Sequence, residues 1–200
     1  MSLPQNKSDQ KWTYADYLTW DDGQRWELID GVAYLLQGAV GLAPAPLRQH
    51  QQLSLSLASQ LYVQLKGKPC KVYYAPFDVR LSEQLDASDN YIETVVQPDV
   101  LVVCDKSKLD DKGCNGAPDL VIEITSPTTA RTDLTVKFDL YQKHGVKEYW
   151  IVHPVEKTVM VFKLQADGRY GAPDRYGDDG KVSVPLVGDL IIDLADLFAE

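Results

Sequence analysis

Apolar residues recur along this chain in distinct rhythms, and each rhythm predicts a different element. Leu53, Leu57 and Leu61 return at helical spacing within the stretch from Leu47 to Leu65, which predicts an amphipathic helix. Thr13 ahead of Tyr14-Ala15-Asp16-Tyr17-Leu18 reads as a capped short helix, and Trp26-Glu27-Leu28-Ile29 and Val32 to Leu36 flank Asp30-Gly31 as a hairpin. Residues 39–46 are a Gly/Ala/Pro loop, Val72 to Leu81 a strand, and Ser82 to Glu93 polar and irregular. Pro98 to Cys104 and Asp119 to Thr125 read as strands on either side of a charged, Gly-containing loop. Thr132 to His144 turns helical, with Leu134, Phe138 and Tyr141 on one side and Gly145 as its closing glycine. Glu148 to Val152 and Val159 to Leu164 then pair antiparallel near Pro154, and Leu190 to Phe198 is a short closing strand or helix.

One polar position breaks this pattern sharply. Leu120-Val121-Ile122-Glu123-Ile124 is the continuous apolar run of a strand buried on both faces, with an acid inside it. An unpaired carboxylate there is very costly, so Glu123 must be protonated, paired with a cation or bound to a metal. Asp119, four positions earlier on the same strand, lies roughly 13 Å away and cannot share an ion with it. Asp99 opens a different strand, and across a neighbouring-strand spacing of about 4.8 Å its carboxylate can converge with that of Glu123. Position 125 projects from the same face as Glu123, but Thr125 supplies no charge. Lys137 can supply it if its helix packs back over the sheet, with Asp133 and Tyr141 one turn away on the same helix face.

Composition narrows the setting. With 200 residues, 44% apolar, four Trp and eleven Tyr, the chain can bury a substantial core as a single domain, residues 1–200, with 1–11 as a flexible tail. A net charge of −9 works against indiscriminate attraction to nucleic acid, so any DNA contact needs a local patch; Arg131, Lys137, Lys143 and Lys147 outnumber Asp133 and Asp139 in one such stretch. Three cysteines without a C-x-x-C pair suggest neither a disulfide framework nor a structural zinc site, and they read as inert packing residues. A reducing cytoplasm fits, and no apolar run approaches a membrane span.

Several segments taken in order resemble one family. Glu27-Leu28-Ile29-Asp30-Gly31, Pro98-Asp99-Val100, Pro118-Asp119 through Glu123 to Thr125-Ser126-Pro127, and Lys137 through Tyr141 to Gly145-Val146-Lys147-Glu148-Tyr149-Trp150 are similar to the Uma-two family of restriction-endonuclease-like proteins. The resemblance implies a mixed α/β fold with a PD-(D/E)XK core, a central mixed sheet flanked by helices. It implies hydrolysis of DNA phosphodiesters, with Asp99, Glu123 and the carbonyl of Ile124 holding Mg²⁺ or Mn²⁺. Lys137 stands for the lysine that the superfamily usually carries at position 125, and orients or deprotonates the attacking water. Glu27 matches an early acid of the family, as a further metal ligand or water-positioning group. Thr125 and His153 depart from the pattern. A two-fold dimer would suit double-strand cleavage, by analogy alone.

Plainer readings compete. Asp99 and Glu123 can be a carboxylate pair kept for folding, Lys137 an exposed helical lysine, Glu27 a solvent-facing hairpin acid and His50 a polar helix-face residue. Tyr149 and Trp150 read as core aromatics. The functional competitors are a non-catalytic nucleic-acid-binding or protein-interaction module retaining the fold, and an enzyme for small phosphodiesters.

Overall fold

The protein is described by a computed structural model over residues 10–36, 48–82, 87–126 and 129–199. The loop expected at 39–46, most of the N-terminal tail, residues 83–86 of the polar stretch and Pro127 of the strand-exit motif lie outside the described residues. Helix α1, Tyr14–Tyr17, starts from a capping box: the Thr13 hydroxyl accepts from Asp16 N–H while the Asp16 carboxylate accepts from Thr13 N–H. Strands β1, Trp26–Ile29, and β2, Val32–Leu35, form the expected hairpin. Helix α2 spans Arg48–Leu65 and buries Leu53, Leu57, Ala58, Leu61 and Leu65.

The single strand read at 72–81 is two strands in different sheets, β3, Lys71–Tyr74, and β4, Val79–Arg80. Pro76 between them has no N–H to continue a ladder, and the chain crosses layers there. Strands β5, Val95–Val96, and β6, Val100–Val103, follow. The charged loop holds a small hairpin, β7, Leu109–Asp110, and β8, Gly113–Asn115, which the hydrophobic pattern did not announce. Next come β9, Leu120–Ile124; α3, Ala130–Thr132; a π-helical turn, Asp133–Lys137; and α4, Phe138–Lys143. Strands β10, Glu148–His153, and β11, Thr158–Lys163, pair antiparallel. The chain ends with β12, Asp174–Tyr176; β13, Lys181–Val184; β14, Leu190–Asp193; and α5, Leu194–Leu197, so the closing segment is a strand and then a helix.

Among the described residues these strands build two six-stranded sheets and one pair. One sheet runs β12-β11-β10-β9-β6-β3, parallel at β9–β10 and otherwise antiparallel, and the other runs β2-β1-β5-β4-β8-β7. The first sheet is the divider. Leu120, Ile122, Ile124, Trp150 and Val152 face a core closed by α2, α5, β13 and β14. Leu101, Val103, Val121, Tyr149 and Ile151 face a second core closed by the other sheet and by α4. Because side chains alternate along a strand, Glu123 follows Val121 into this second, inter-layer core.

The π-helical turn corrects the expected helix face. Leu134 is 41% exposed, whereas Asp133 and Lys137 are buried, since the widened turn swings these charged positions inward and the intervening apolar ones outward. Of the cations expected to form a phosphate-facing patch, Lys137 is buried and Lys147 pairs with Asp119 at 2.6 Å. Cysteine chemistry also differs from expectation: Cys70 and Cys104, at the adjoining ends of β3 and β6, form a disulfide, and only Cys114 among the three is a buried free thiol, its pKa raised to about 12 by burial. Composition alone did not reveal that antiparallel pairing brings these two positions together.

Two glycines separate two kinds of constraint. Gly145 has φ +79 and closes α4 in a Schellman arrangement, with Val146 N–H donating to Tyr141 C=O and Gly145 N–H to Gln142 C=O; a Cβ there would meet nothing within 4 Å. Gly113 has φ +126, and a Cβ would lie 2.2 Å from Asp78 O. Gly145→Ala is therefore expected to cost about 1–2 kcal/mol in denaturant unfolding, the strain of the left-handed backbone alone. Gly113→Ala should cost clearly more, and equal losses would show that the Asp78 contact yields without penalty.

Candidate functional site

Register sets the first pair. The last paired residues of β6 and β9 are Val100 and Ile122, so one step further Asp99 stands across from Glu123. Asp99 Oδ2 accepts from Ile124 N–H at 2.7 Å, which ties its carboxylate to the end of β9. Asp119 lies at the other end of that strand, where its Oδ2 accepts from Cys104 N–H at 2.7 Å and its Oδ1 meets Lys147.

Lys137 joins the strand acid to an acid of the other sheet. Its Nζ lies 3.0 Å from Glu123 Oε1 and 3.0 Å from Glu27 Oε1, with every partner almost wholly buried. Glu27 is not a solvent-facing hairpin acid; packing of the two sheets encloses it, and its Oε1 also accepts from Gln97 N–H at 2.8 Å. Tyr141 donates its hydroxyl to Glu123 Oε1 at 2.7 Å, and Tyr149 donates to the Asp133 backbone carbonyl. The structure thus assembles Asp99, Glu123, Lys137 and Glu27 at one place, with Asp133 and Tyr141 beside them. Gln97 had no sequence signal, because its backbone N–H acts and its side chain does not identify it.

Thr125 stands where the resemblance leads one to expect a lysine. Its hydroxyl donates to Val152 C=O at 3.2 Å and sits 3.1 Å from His153 Nδ1, so both departures from the family pattern meet in one contact. His50, from α2, places Nε2 3.2 Å from Asp99 Oδ2.

Charge is unbalanced here. Burial pushes the Glu123 carboxyl up to about 8 despite the nearby Lys137 ammonium, and burial raises Asp133 to about 6. Burial alone would lower the Lys137 pKa, but the charges of Glu123, Glu27 and Asp133 outweigh it and hold the ammonium well above its usual value. One cation faces three acids, and desolvation decides the result at Glu123. His50 is likewise raised, the pull of Asp99 and of the Ile124 backbone exceeding the effect of its burial.

Among the described residues no three His, Cys, Asp or Glu side chains converge as a metal-holding group. The candidate donors are two carboxylates, Asp99 and Glu123, and the Ile124 carbonyl, which also accepts from His50. These hard oxygens, beside a cluster in which acids outnumber the one ammonium, suit an ion such as Mg²⁺, which uses one or two carboxylates and keeps several waters. The Lys137 and Tyr141 bonds both end on Glu123 Oε1, so Oε2 is the oxygen through which Glu123 would bind a cation.

Comparison with known proteins finds a family, a relative and a fold neighbour. A family model described as "Putative restriction endonuclease", Uma2, matches residues 14–195. An uncharacterized protein of Synechocystis is 27% identical over 168 residues, covering 80% of each chain. The crystal structure of a "putative nuclease belonging to DUF820" from Anabaena variabilis superposes with a TM-score of 0.69 at 21% identity, covering 93% of this chain and 97% of the other, a likeness of fold.

Proposed function

Because the chain belongs to the Uma2 family, we propose that it is a Mg²⁺- or Mn²⁺-dependent endonuclease that hydrolyses phosphodiester bonds in DNA. The observation that carries this reading is the 3.0 Å approach of Lys137 Nζ to Glu123 Oε1, which returns to the strand acid the positive charge that Thr125 lacks. Asp99, Glu123 and the Ile124 carbonyl would hold the metal, which when bound supplies Lewis acidity to the phosphate and a more acidic water.

The protein's own groups divide the remaining work. Lys137 keeps its proton, so it serves as a fixed positive charge and not as a base. An ammonium has three hydrogens; two point to Glu27 and Glu123, which leaves one to orient the attacking water or meet a phosphate oxygen. Glu27 and Tyr141 position Lys137 and Glu123, and the surrounding aromatic core makes each charge more effective than it would be in water.

Incubating the purified chain with single-stranded, double-stranded and supercoiled DNA plus Mg²⁺ or Mn²⁺ tests the reading. Cleavage is expected, with Asp99→Ala and Glu123→Ala each lowering its rate on the order of 10²–10³-fold or more. Activity that survives both changes would sink the proposal. The contact of Thr125 with His153 and the net charge of −9 favour a second reading, a nuclease-fold module that binds without cutting. Divalent metal should then leave Tm unchanged, whereas a working site should raise it in wild type and not in Glu123→Gln. Turnover of a small chromogenic diester without DNA cleavage would point to a smaller substrate.

A further inference from the structure

The metal-site reading above leaves unexplained what holds Asp99, which lies at the entry of β6 with its side chain 18% exposed. Its Oδ2 has two donors from two separate elements. Ile124 N–H reaches it at 2.7 Å from the end of β9, and His50 Nε2 at 3.2 Å from α2. A carboxylate oxygen offers two in-plane lone pairs, as many as the donors that meet Oδ2. Oδ1 is left as the oxygen for a cation.

Helix α2 belongs to the core on the opposite face of the sheet, where Leu53, Leu57 and Leu61 anchor it. Gln49 adds a fastening, its Nε2 donating to Pro154 C=O at 3.3 Å in the turn after β10. His50 is therefore presented to the site from a backbone held on both sides. We infer that His50 is a positioning residue for the cation site: with Ile124 N–H it clamps Asp99 through Oδ2 and orients Oδ1 for metal binding. This inference rests on the metal-site reading.

The hydrogen bond needs only a proton on Nε2, which the imidazole offers in one neutral tautomer as well as when charged. A glutamine amide reaches a similar place and also donates N–H. Partners that hold a ligating carboxylate typically change metal affinity by about 10–100-fold, so His50→Ala and His50→Leu should weaken Mn²⁺ binding by about that factor. His50→Gln should restore most of the loss. A role limited to packing predicts the reverse, with leucine tolerated and glutamine given no advantage.

Free Mn²⁺ counted by electron paramagnetic resonance during titration of wild type, His50→Ala, His50→Leu, His50→Gln and Asp99→Ala measures this directly, without DNA. Mn²⁺ affinity unchanged in His50→Ala, or lost equally in His50→Gln, overturns the inference while leaving the metal site standing. Nitrogen coupling to bound Mn²⁺ that disappears in His50→Ala also overturns it, because His50 would then be a ligand. Wild type that binds no Mn²⁺, or binds it as well as Asp99→Ala does, overturns the metal-site reading itself and this inference with it.

Discussion

Lys137→Met is expected to destabilise the fold by about 3–5 kcal/mol, because it removes the cation from a buried ion cluster and leaves its acids behind. Methionine nearly preserves the chain length and apolar volume, so the loss reports charge and not a cavity. Glu27 and Glu123 each lie 3.0 Å from the ammonium, and every side chain involved is almost completely buried. For a chain of this size such a loss corresponds to a fall in Tm of roughly 6–20 °C. Part of the loss should return in Glu27→Gln/Lys137→Met, which removes a stranded charge, and a double-mutant cycle would measure that coupling. A Tm within a degree or two of wild type would show that Lys137 is not the cation on which this core depends. The same variant should abolish metal-dependent DNA cleavage, but only at temperatures where it remains folded does that loss speak to catalysis.

That Lys137 reaches Glu123 could be suspected from the sequence and not demonstrated by it. The i, i+4, i+8 spacing of Asp133, Lys137 and Tyr141 places them on one helix face, and that face is the buried one. The apolar residues around them suggested otherwise, since Leu134 fits an inward stripe on an ordinary helix and turns outward only because residues 133–137 form a π-helical turn. Strands with strong local signals, such as β1, β2, β9, β10 and β11, were legible, as was the choice of Asp99 over Asp119 as the acid across from Glu123. That choice depends only on strand geometry. The burial of Glu27 was not legible. A hairpin acid is exposed or enclosed according to what packs over it, and here a second sheet does so through long-range contacts that no local pattern encodes. The short pair β7–β8 and the bond between Cys70 and Cys104 were hidden for the same reason.

Divalent-metal affinity is expected to rise by about tenfold per pH unit from near pH 6 towards pH 8, then level off, because binding must expel a proton from Glu123. Its carboxyl is held up to about 8 in the fold by burial, against about 4.3 when unfolded. Calorimetric titration in buffers of differing ionisation enthalpy should show close to one proton released near neutrality. Without metal the sign reverses. A folded-state pKa raised above the unfolded value gives stability that is complete below about pH 4.3 and is lost as pH rises through 8. Asp133, raised to about 6, and His50, also raised, act in the same direction. Tm in EDTA should therefore fall between about pH 5.5 and 8.5, whereas in Mg²⁺ the tightening site offsets that fall and the two curves diverge. Glu123→Gln separates the contributions: it should abolish the proton release and the divergence, leaving the shallower slope from Asp133 and His50. Metal affinity that stays flat across neutrality in the wild type would mean that Glu123 is already ionised in the metal-free protein. Lys137 would then offset the cost of burying that charge, and metal binding would release no proton near neutrality.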